Sequence, residues 1–176
     1  VDILYMRDLN AVYGYDNGDY VIYQVLKLLR TKIKQNIIRR LARLDKQNIQ
    51  IEIINPYTDI FMIKIYGYLN TSDMKKIADM IISEITTYSF EIKDPDLSIN
   101  IDVTIGASRS DNEKLVTYAE KALHNAKLNY LNYSFFDPRF FKHEIINNSL
   151  ISILKENVNQ NTIVPHFHSI IDNSSN

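Results

Sequence analysis

The segment Asn55-Pro56-Tyr57-Thr58-Asp59-Ile60-Phe61 separates two runs in which apolar and polar residues alternate. These runs are Ile49-Gln50-Ile51-Glu52-Ile53 and Phe61-Met62-Ile63-Lys64-Ile65. A period of two is typical of strands with one buried face, and Pro56 marks the connection as a turn. The sequence therefore predicts an antiparallel hairpin with a tight turn.

A long amphipathic helix is predicted before this hairpin. A glycine-bearing turn at residues 14–18 gives way to apolar residues at helical spacing that continue to about Asp45. The apolar positions of this pattern are Ile22, Val25, Leu26, Leu29, Ile33, Ile37 and Leu41.

Strands and helices are predicted to interleave around one sheet after the hairpin. Thr71 or Ser72 can cap a helix whose apolar stripe covers residues 74–85. Residues 99–105 then alternate as a strand does.

A third helix and a last strand complete the pattern. Ser110 and Glu113 have the spacing of a capping box ahead of an apolar stripe at residues 115–126. We expect Tyr133 to Phe136 to form the last strand, and Asp137-Pro138 to end the domain.

Composition agrees with this organisation. The chain has 176 residues, of which 45% are hydrophobic, so it can bury one good core and part of a second. Its net charge of −1 steers no partner, and the lack of cysteine excludes disulfides and thiolate metal sites, which suits the cytoplasm. No apolar run approaches the roughly eighteen residues of a membrane span. Because the chain begins inside its first predicted strand, we interpret it as part of a larger protein.

Four segments in the right order resemble a GGDEF domain, the diguanylate cyclase family. They are residues 2–19, the hairpin, the strand Asp102-Val103-Thr104-Ile105-Gly106-Ala107 and the helix at residues 118–127. The resemblance covers residues 1–136. It implies an α/β (α+β) fold of the nucleotide-cyclase type, with a central, mostly antiparallel five-stranded sheet flanked by helices.

The resemblance also implies a metal site. Members of this family join two GTP molecules into cyclic di-GMP, and the positions that match their Mg²⁺ ligands are Asp2, the carbonyl of Ile3, and Asp59. Oxygen ligands suit Mg²⁺. The alternative is that Asp2 is only a strand-end residue and Asp59 only a turn residue.

The hairpin departs from the family's signature. Tyr57 and Thr58 replace its paired glycines, which permit positive φ and close approach to a nucleotide. Ile60 replaces the signature glutamate, and an isoleucine neither ligates a metal nor accepts a proton. No catalytic residue is assigned, and we expect the turn to be rebuilt and cyclase activity to be impaired.

The nucleotide pocket is better preserved. Asn10 and Asp19 match the residues that hydrogen-bond guanine, whereas Arg7 and Lys127 match bases that neutralise the triphosphate. The alternatives are that Asp19 caps the long helix and Asn10 stabilises a turn. Departures from the family occur at Ala11, Tyr15 and Leu131.

Two other binding functions are not expected. The R-x-x-D product site of active cyclases is missing before the hairpin, where the chain reads Gln47-Asn48-Ile49-Gln50-Ile51. Basic residues crowd the long helix without interleaved aromatic residues, so a solvated face or a domain contact is favoured and no nucleic acid partner is predicted. These residues are Lys27, Arg30, Lys32, Lys34, Arg39, Arg40, Arg43 and Lys46.

Residues 137–176 resemble the linker helix and first strand of an EAL phosphodiesterase domain, with a helix at 144–158 and a strand-like run at 162–172. The chain is thus interpreted as a regulatory GGDEF module, with possible GTP and Mg²⁺ binding, that acts on an adjacent EAL domain in cis. Two alternatives stay open. One is an active diguanylate cyclase, and the other is a structural module for homodimerisation or docking that binds no nucleotide.

Overall fold

The computed structural model describes residues 1–43, 49–93, 97–109, 113–139, 150, 153–156 and 158. The chain divides into two units, of which the first is Val1–Phe136 and the second begins at Asp137. In the second unit, residues 150, 153–156 and 158 are helical, within the predicted helix at 144–158. The run at 162–172 lies outside the described residues, so its resemblance to an EAL strand stays a prediction.

The described part of the first unit alternates helices with short strands. A π-helical segment, Leu29–Ile33, joins the second and third helices. In chain order the elements are β1 (Asp2–Ile3), α1 (Met6–Tyr13), α2 (Tyr15–Leu28), α3 (Lys34–Ala42), β2 (Gln50–Ile54), β3 (Met62–Tyr66), α4 (Thr71–Thr86), β4 (Phe90–Glu91), β5 (Ser98–Ile99), β6 (Val103–Ala107), α5 (Leu115–Leu128) and β7 (Tyr133–Phe135).

The strands that surround β1 are mostly antiparallel. β6 pairs with β1 antiparallel and with β7 parallel, whereas β2 and β3 form the predicted hairpin with Ile51 opposite Ile65. The tight turn expected between them is wrong, because residues 55–61 form a longer connection. The segment Asp59–Phe61, just before β3, pairs with the other side of β1 through the Asp2–Ile60 bridge. Phe61 N donates to Val1 O at 2.7 Å, and Ile3 N donates to Asp59 O at 3.0 Å. The strand order in the sheet that contains β1 is β1-β6-β7, with the segment before β3 beside the free side of β1, and β4 with β5 forms a separate pair.

The first helices differ from the prediction. The turn expected at residues 14–18 is wrong beyond Gly14, because α2 begins at Tyr15 and contains Gly18. A Cβ at position 18 would lie 1.9 Å from Asn10 Oδ1, so a larger residue there would require the Asn10 side chain to move. The long helix extends through the π-helical segment and α3 to Ala42, and the predicted end near Asp45 lies outside the described residues.

Other local predictions also need correction. The cap of α4 is Asn70, whose side chain accepts from Asp73 N at 2.8 Å, rather than Thr71 or Ser72. α5 begins at Leu115 after Lys114, so Glu113 is outside its first turn, and Ser110 lies outside the described residues.

The strand predicted at residues 99–105 is divided between two sheets. β5 pairs with β4, whereas β6 pairs with β1 and β7. The partner of β5 is the two-residue strand Phe90–Glu91, which has no alternating run of its own. β5 and β6 therefore belong to different sheets. The last strand, Tyr133–Phe135, matches its prediction within one residue.

α5 packs closely on β6. A Cβ on Gly106 would lie 2.1 Å from Leu123 N and 2.3 Å from Ala119 O, so only glycine permits this backbone approach. Ala122 and Ala126 on the same helix are fully buried. The contact fixes the end of α5, and therefore Lys127, relative to β1.

Candidate functional site

Asp2 lies at the centre of the candidate site. Its side chain is 1% exposed although it is a carboxylate, and β1 lies between two neighbours. Thr104 is opposite Asp2 on β6, and Ile60 is opposite it on the other side. Residues directly opposite each other in antiparallel strands project from the same face. The side chains of Ile60 and Thr104 therefore flank Asp2.

Lys127, near the end of α5, forms an ion pair with Asp2 across 125 positions of sequence. Lys127 Nζ donates a hydrogen bond to Oδ2 at 2.9 Å and lies 2.8 Å from Oδ1. Oδ1 is buried and accepts no hydrogen bond of good geometry among the described residues. The Lys127 side chain is 46% exposed, so the ammonium lies between the buried carboxylate and solvent.

Burial dominates the ionisation of Asp2. Loss of solvation raises the pKa of the Asp2 carboxyl above its ordinary value, and the Lys127 hydrogen bond and charge oppose that shift only in part. The Asp59 carboxylate adds to the increase in pKa because its negative charge acts on Asp2.

The other two predicted metal ligands adjoin Asp2. Ile3 is buried next to it, and Ile3 N donates to the backbone oxygen of Asp59. Asp59 immediately precedes the Asp2–Ile60 bridge, and its negative charge acts on the Asp2 carboxyl. Carboxylate and carbonyl oxygens suit Mg²⁺, and the buried Asp2 Oδ1 accepts no hydrogen bond of good geometry among the described residues, so the donor types fit this metal. No cluster of three or more His, Cys, Asp or Glu residues suited to a metal occurs in the part of the chain that the structure describes.

The turn at residues 55–61 is held by an asparagine side chain instead of by glycines. Asn55 Nδ2 donates to the backbone oxygens of Tyr57 and of Ile60, the latter at 2.8 Å. The structure describes all of residues 55–61, and none of them has a positive φ. The turn thus avoids the left-handed conformation that Tyr57 and Thr58 disfavour.

Asn10 and Asp19 lie on the consecutive helices α1 and α2. The Asn10 side chain packs against Gly18, the residue before Asp19, and Asn10 Oδ1 is buried with no donor among the described residues. Asp19 is exposed inside α2, four residues after the helix begins at Tyr15. The alternative that Asp19 caps the long helix is therefore wrong.

The N-terminus of α1 lies just after β1 in the chain. Its N-cap is Tyr5, which has a left-handed φ of 59° and makes no side-chain capping bond. The first N–H groups of a helix lack partners within the helix, so this end is suited to an anion. Arg7 is exposed in its first turn and forms no ion pair within the described residues.

The structure joins the predicted residues in two groups. Asp2, Ile3, Asp59 and Lys127 surround β1, and Asn10 and Asp19 adjoin Gly18. Sequence reasoning missed two features, the Asp2–Lys127 contact and the role of Asn55 in the turn. An asparagine immediately before a proline, at the start of a turn without glycine, was the available signal for Asn55.

Solved structures with GGDEF-type domains resemble this chain. An EAL/GGDEF domain protein from M. capsulatus has a TM-score of 0.57 at 22% identity, covering 78% of this chain and 81% of its own. The active GGEEF domain of a diguanylate cyclase from Vibrio cholerae has a TM-score of 0.54 at 19% identity, covering 77% and 79%. The GGDEF domain of DgcB from Caulobacter crescentus, solved with c-di-GMP, has a TM-score of 0.53 at 18% identity, covering 76% and 73%.

The fold of this chain is that of a GGDEF domain, which confirms the predicted mixed α/β class. No protein-family model and no curated protein matches the sequence. No helix in the described part of the chain is long and apolar enough to cross a membrane.

Proposed function

We propose that this chain is a regulatory module of a cyclic di-GMP signalling protein that binds GTP with Mg²⁺ and is impaired as a cyclase. The observation that carries the proposal is the position of Ile60, directly across from the buried carboxylate of Asp2. An active member of the family has a glutamate at that position. Here the polar residues around β1 are kept, while the residue facing Asp2 is apolar.

Nucleotide binding is assigned to three groups of residues. Asn10 and Asp19 contact guanine, because an amide and a carboxylate together match its acceptor and donor edge. The N-terminus of α1, Arg7 and Lys127 bind the phosphates. Asp2, the carbonyl of Ile3, and Asp59 hold Mg²⁺, which when bound neutralises phosphate charge.

Impaired catalysis follows from what the reaction requires. A ribose hydroxyl must lose its proton as it attacks the α-phosphorus, and a carboxylate facing the metal site assists that step. Ile60 has no group that accepts a proton. Tyr57 and Thr58 also place side chains where paired glycines let the nucleotide approach the backbone.

Regulation is assigned to the second unit, which begins at Asp137. A similar solved protein is described as an EAL/GGDEF domain protein, which supports an EAL partner in cis. Nucleotide binding can change the activity of such a partner only if the nucleotide binds two states of the protein with different affinity. Homodimerisation is compatible with this role, and the protein would act in the cytoplasm.

Calorimetric titration of the chain with GTP, with and without Mg²⁺, tests the binding proposal. We expect Mg²⁺-dependent binding that Asp19→Ala abolishes. Asp16→Ala is the matched control, because Asp16 is an exposed acid on the same helix whose pair with Lys93 is a surface contact. The proposal fails if GTP produces neither heat nor thermal stabilisation. A mass that rises with protein concentration would then favour the homodimerisation module.

A turnover assay separates the regulatory module from an active cyclase. We expect no cyclic di-GMP from the natural sequence. Tyr57→Gly and Thr58→Gly combined with Ile60→Glu should produce activity if the rest of the pocket is intact. Turnover by the unmodified chain would contradict the proposed impairment.

A further inference from the structure

A proposed metal ligand and a proposed phosphate ligand contact each other in the structure. Asp2 is a proposed metal ligand and Lys127 a proposed phosphate ligand, yet the two side chains bind each other at 2.8 and 2.9 Å. Each residue therefore already has a partner of opposite charge. This inference rests on the proposed function, because it concerns how the same site takes up its ligands.

A divalent cation cannot join Asp2 while Lys127 stays in place. Magnesium binds oxygen at roughly 2.0–2.1 Å, and Lys127 Nζ lies within 3 Å of both carboxylate oxygens. The two cations would lie only a few ångströms apart in a buried site, where repulsion between charges is strong. Lys127 must therefore leave before the metal binds Asp2.

A displaced Lys127 finds no carboxylate at the two positions directly across from Asp2. Ile60 and Thr104 flank Asp2, and the Thr104 hydroxyl donates to Leu131 O at 2.8 Å. The phosphates of a nucleotide would give the displaced ammonium a new anionic partner. The metal would at the same time supply Asp2 with the positive charge that Lys127 removes.

We propose that the Asp2–Lys127 ion pair is a lock that makes divalent-metal binding and polyphosphate binding depend on each other. A metal or a polyphosphate that binds alone must break the ion pair. It then replaces the partner of only one of the two residues, Asp2 or Lys127. A metal and a polyphosphate that arrive together replace both partners at once. By linkage, each ligand raises the affinity for the other by the same factor.

Titration with MgCl₂ in the absence of nucleotide, at constant ionic strength, tests the lock. The readouts are calorimetric affinity and the thermal midpoint. We expect Lys127→Met to bind Mg²⁺ more tightly than the natural chain, by a factor on the order of 5–150, the usual range for coupled sites. Lys76→Met is the matched control, since it removes an exposed lysine of α4 and changes the net charge equally. The control should leave Mg²⁺ affinity unchanged.

A second variant separates the effect of the lost charge from the effect of a lost fold. Lys127→Gln removes the charge but keeps an N–H donor for Asp2, and it should also bind Mg²⁺ more tightly. The lock is overturned if neither variant gains affinity, or if both stay unfolded with and without Mg²⁺. Folding only with Mg²⁺ would support it.

The outcomes distinguish this inference from the proposed function. Tighter Mg²⁺ binding by the Lys127 variants, with no GTP response from the natural chain, would keep the lock and reject the nucleotide. A GTP response from the natural chain, without tighter Mg²⁺ binding by the Lys127 variants, would keep the nucleotide and reject the lock.

Discussion

The two sides of β1 are built differently. On one side, β6 and α5 approach so closely that Gly106 has no room for a Cβ, and this contact fixes Lys127 beside Asp2. On the other side, Asp59–Phe61 reaches β1 through the Asp2–Ile60 bridge, and the turn behind it is exposed and organised by Asn55. The side that carries the charged partner of Asp2 is closely packed, whereas the side with Ile60 across from Asp2 is a surface turn. Substitution is therefore easier at the turn than at the α5 contact.

The largest effect is expected from Gly106→Ala, which breaks the packed side. The added Cβ meets backbone atoms of α5 and cannot be accommodated by a side-chain rotation. We expect a loss of about 3 kcal/mol, near the upper end for overpacking, measured by urea unfolding. Val116→Ala, on the exposed surface of the same helix, should change stability by no more than about 0.5 kcal/mol. A tolerated alanine at position 106 would contradict the close approach.

Asn55→Ala should have an intermediate effect, confined to the turn. It removes the donor that holds two backbone oxygens, which we expect to cost about 1 kcal/mol. Hydrogen exchange should become faster in β2 and β3 and stay unchanged in β6. Asn55→Asp, which keeps the size but not the donor, should behave like the alanine variant. Equal loosening of both sides of β1 would remove the contrast between them.

Asp2→Asn changes a residue of β1 itself, and we expect a small change in the pH dependence of stability. Because the folded state raises the pKa of Asp2, its contribution to stability is fully present below the unfolded pKa of about 3.9. That contribution is lost as pH rises through the higher folded pKa. Thermal unfolding from pH 3 to 8 should therefore show the natural chain losing stability relative to Asp2→Asn in this window. The opposite slope would mean that the Lys127 pair outweighs the loss of solvation.

The sequence predicted the elements whose burial follows a regular period. The alternation around the hairpin matches the observed pairing of Ile51 with Ile65, and the stripe at residues 74–85 lies within α4. The predictions failed where tertiary contacts override local preference. Gly18 indicated a turn from its residue type, but it lies inside α2, beside the Asn10 side chain.

The candidate site could be predicted only in part. Asp2, Asp59 and Lys127 were each selected by resemblance to a family motif, but no periodicity relates positions 125 residues apart. The ion pair follows from the packing of α5 on β6, which the glycine in the strand allows. The sequence shows that residue 60 is an isoleucine and carries no carboxylate. Its position opposite Asp2 could not be predicted, because that position depends on strand register.

The C-terminal end of α5 holds the backbone of Lys127 in place. Leu131 N donates to Ala126 O at 2.9 Å and Tyr130 N to Lys127 O at 3.4 Å, with Tyr130 at a left-handed φ of 53°. This is a Schellman motif, and it ties the backbone of Lys127 to the residues that lead into β7. A movement of Lys127 away from Asp2 therefore requires the rotation of one side chain and no opening of a loop.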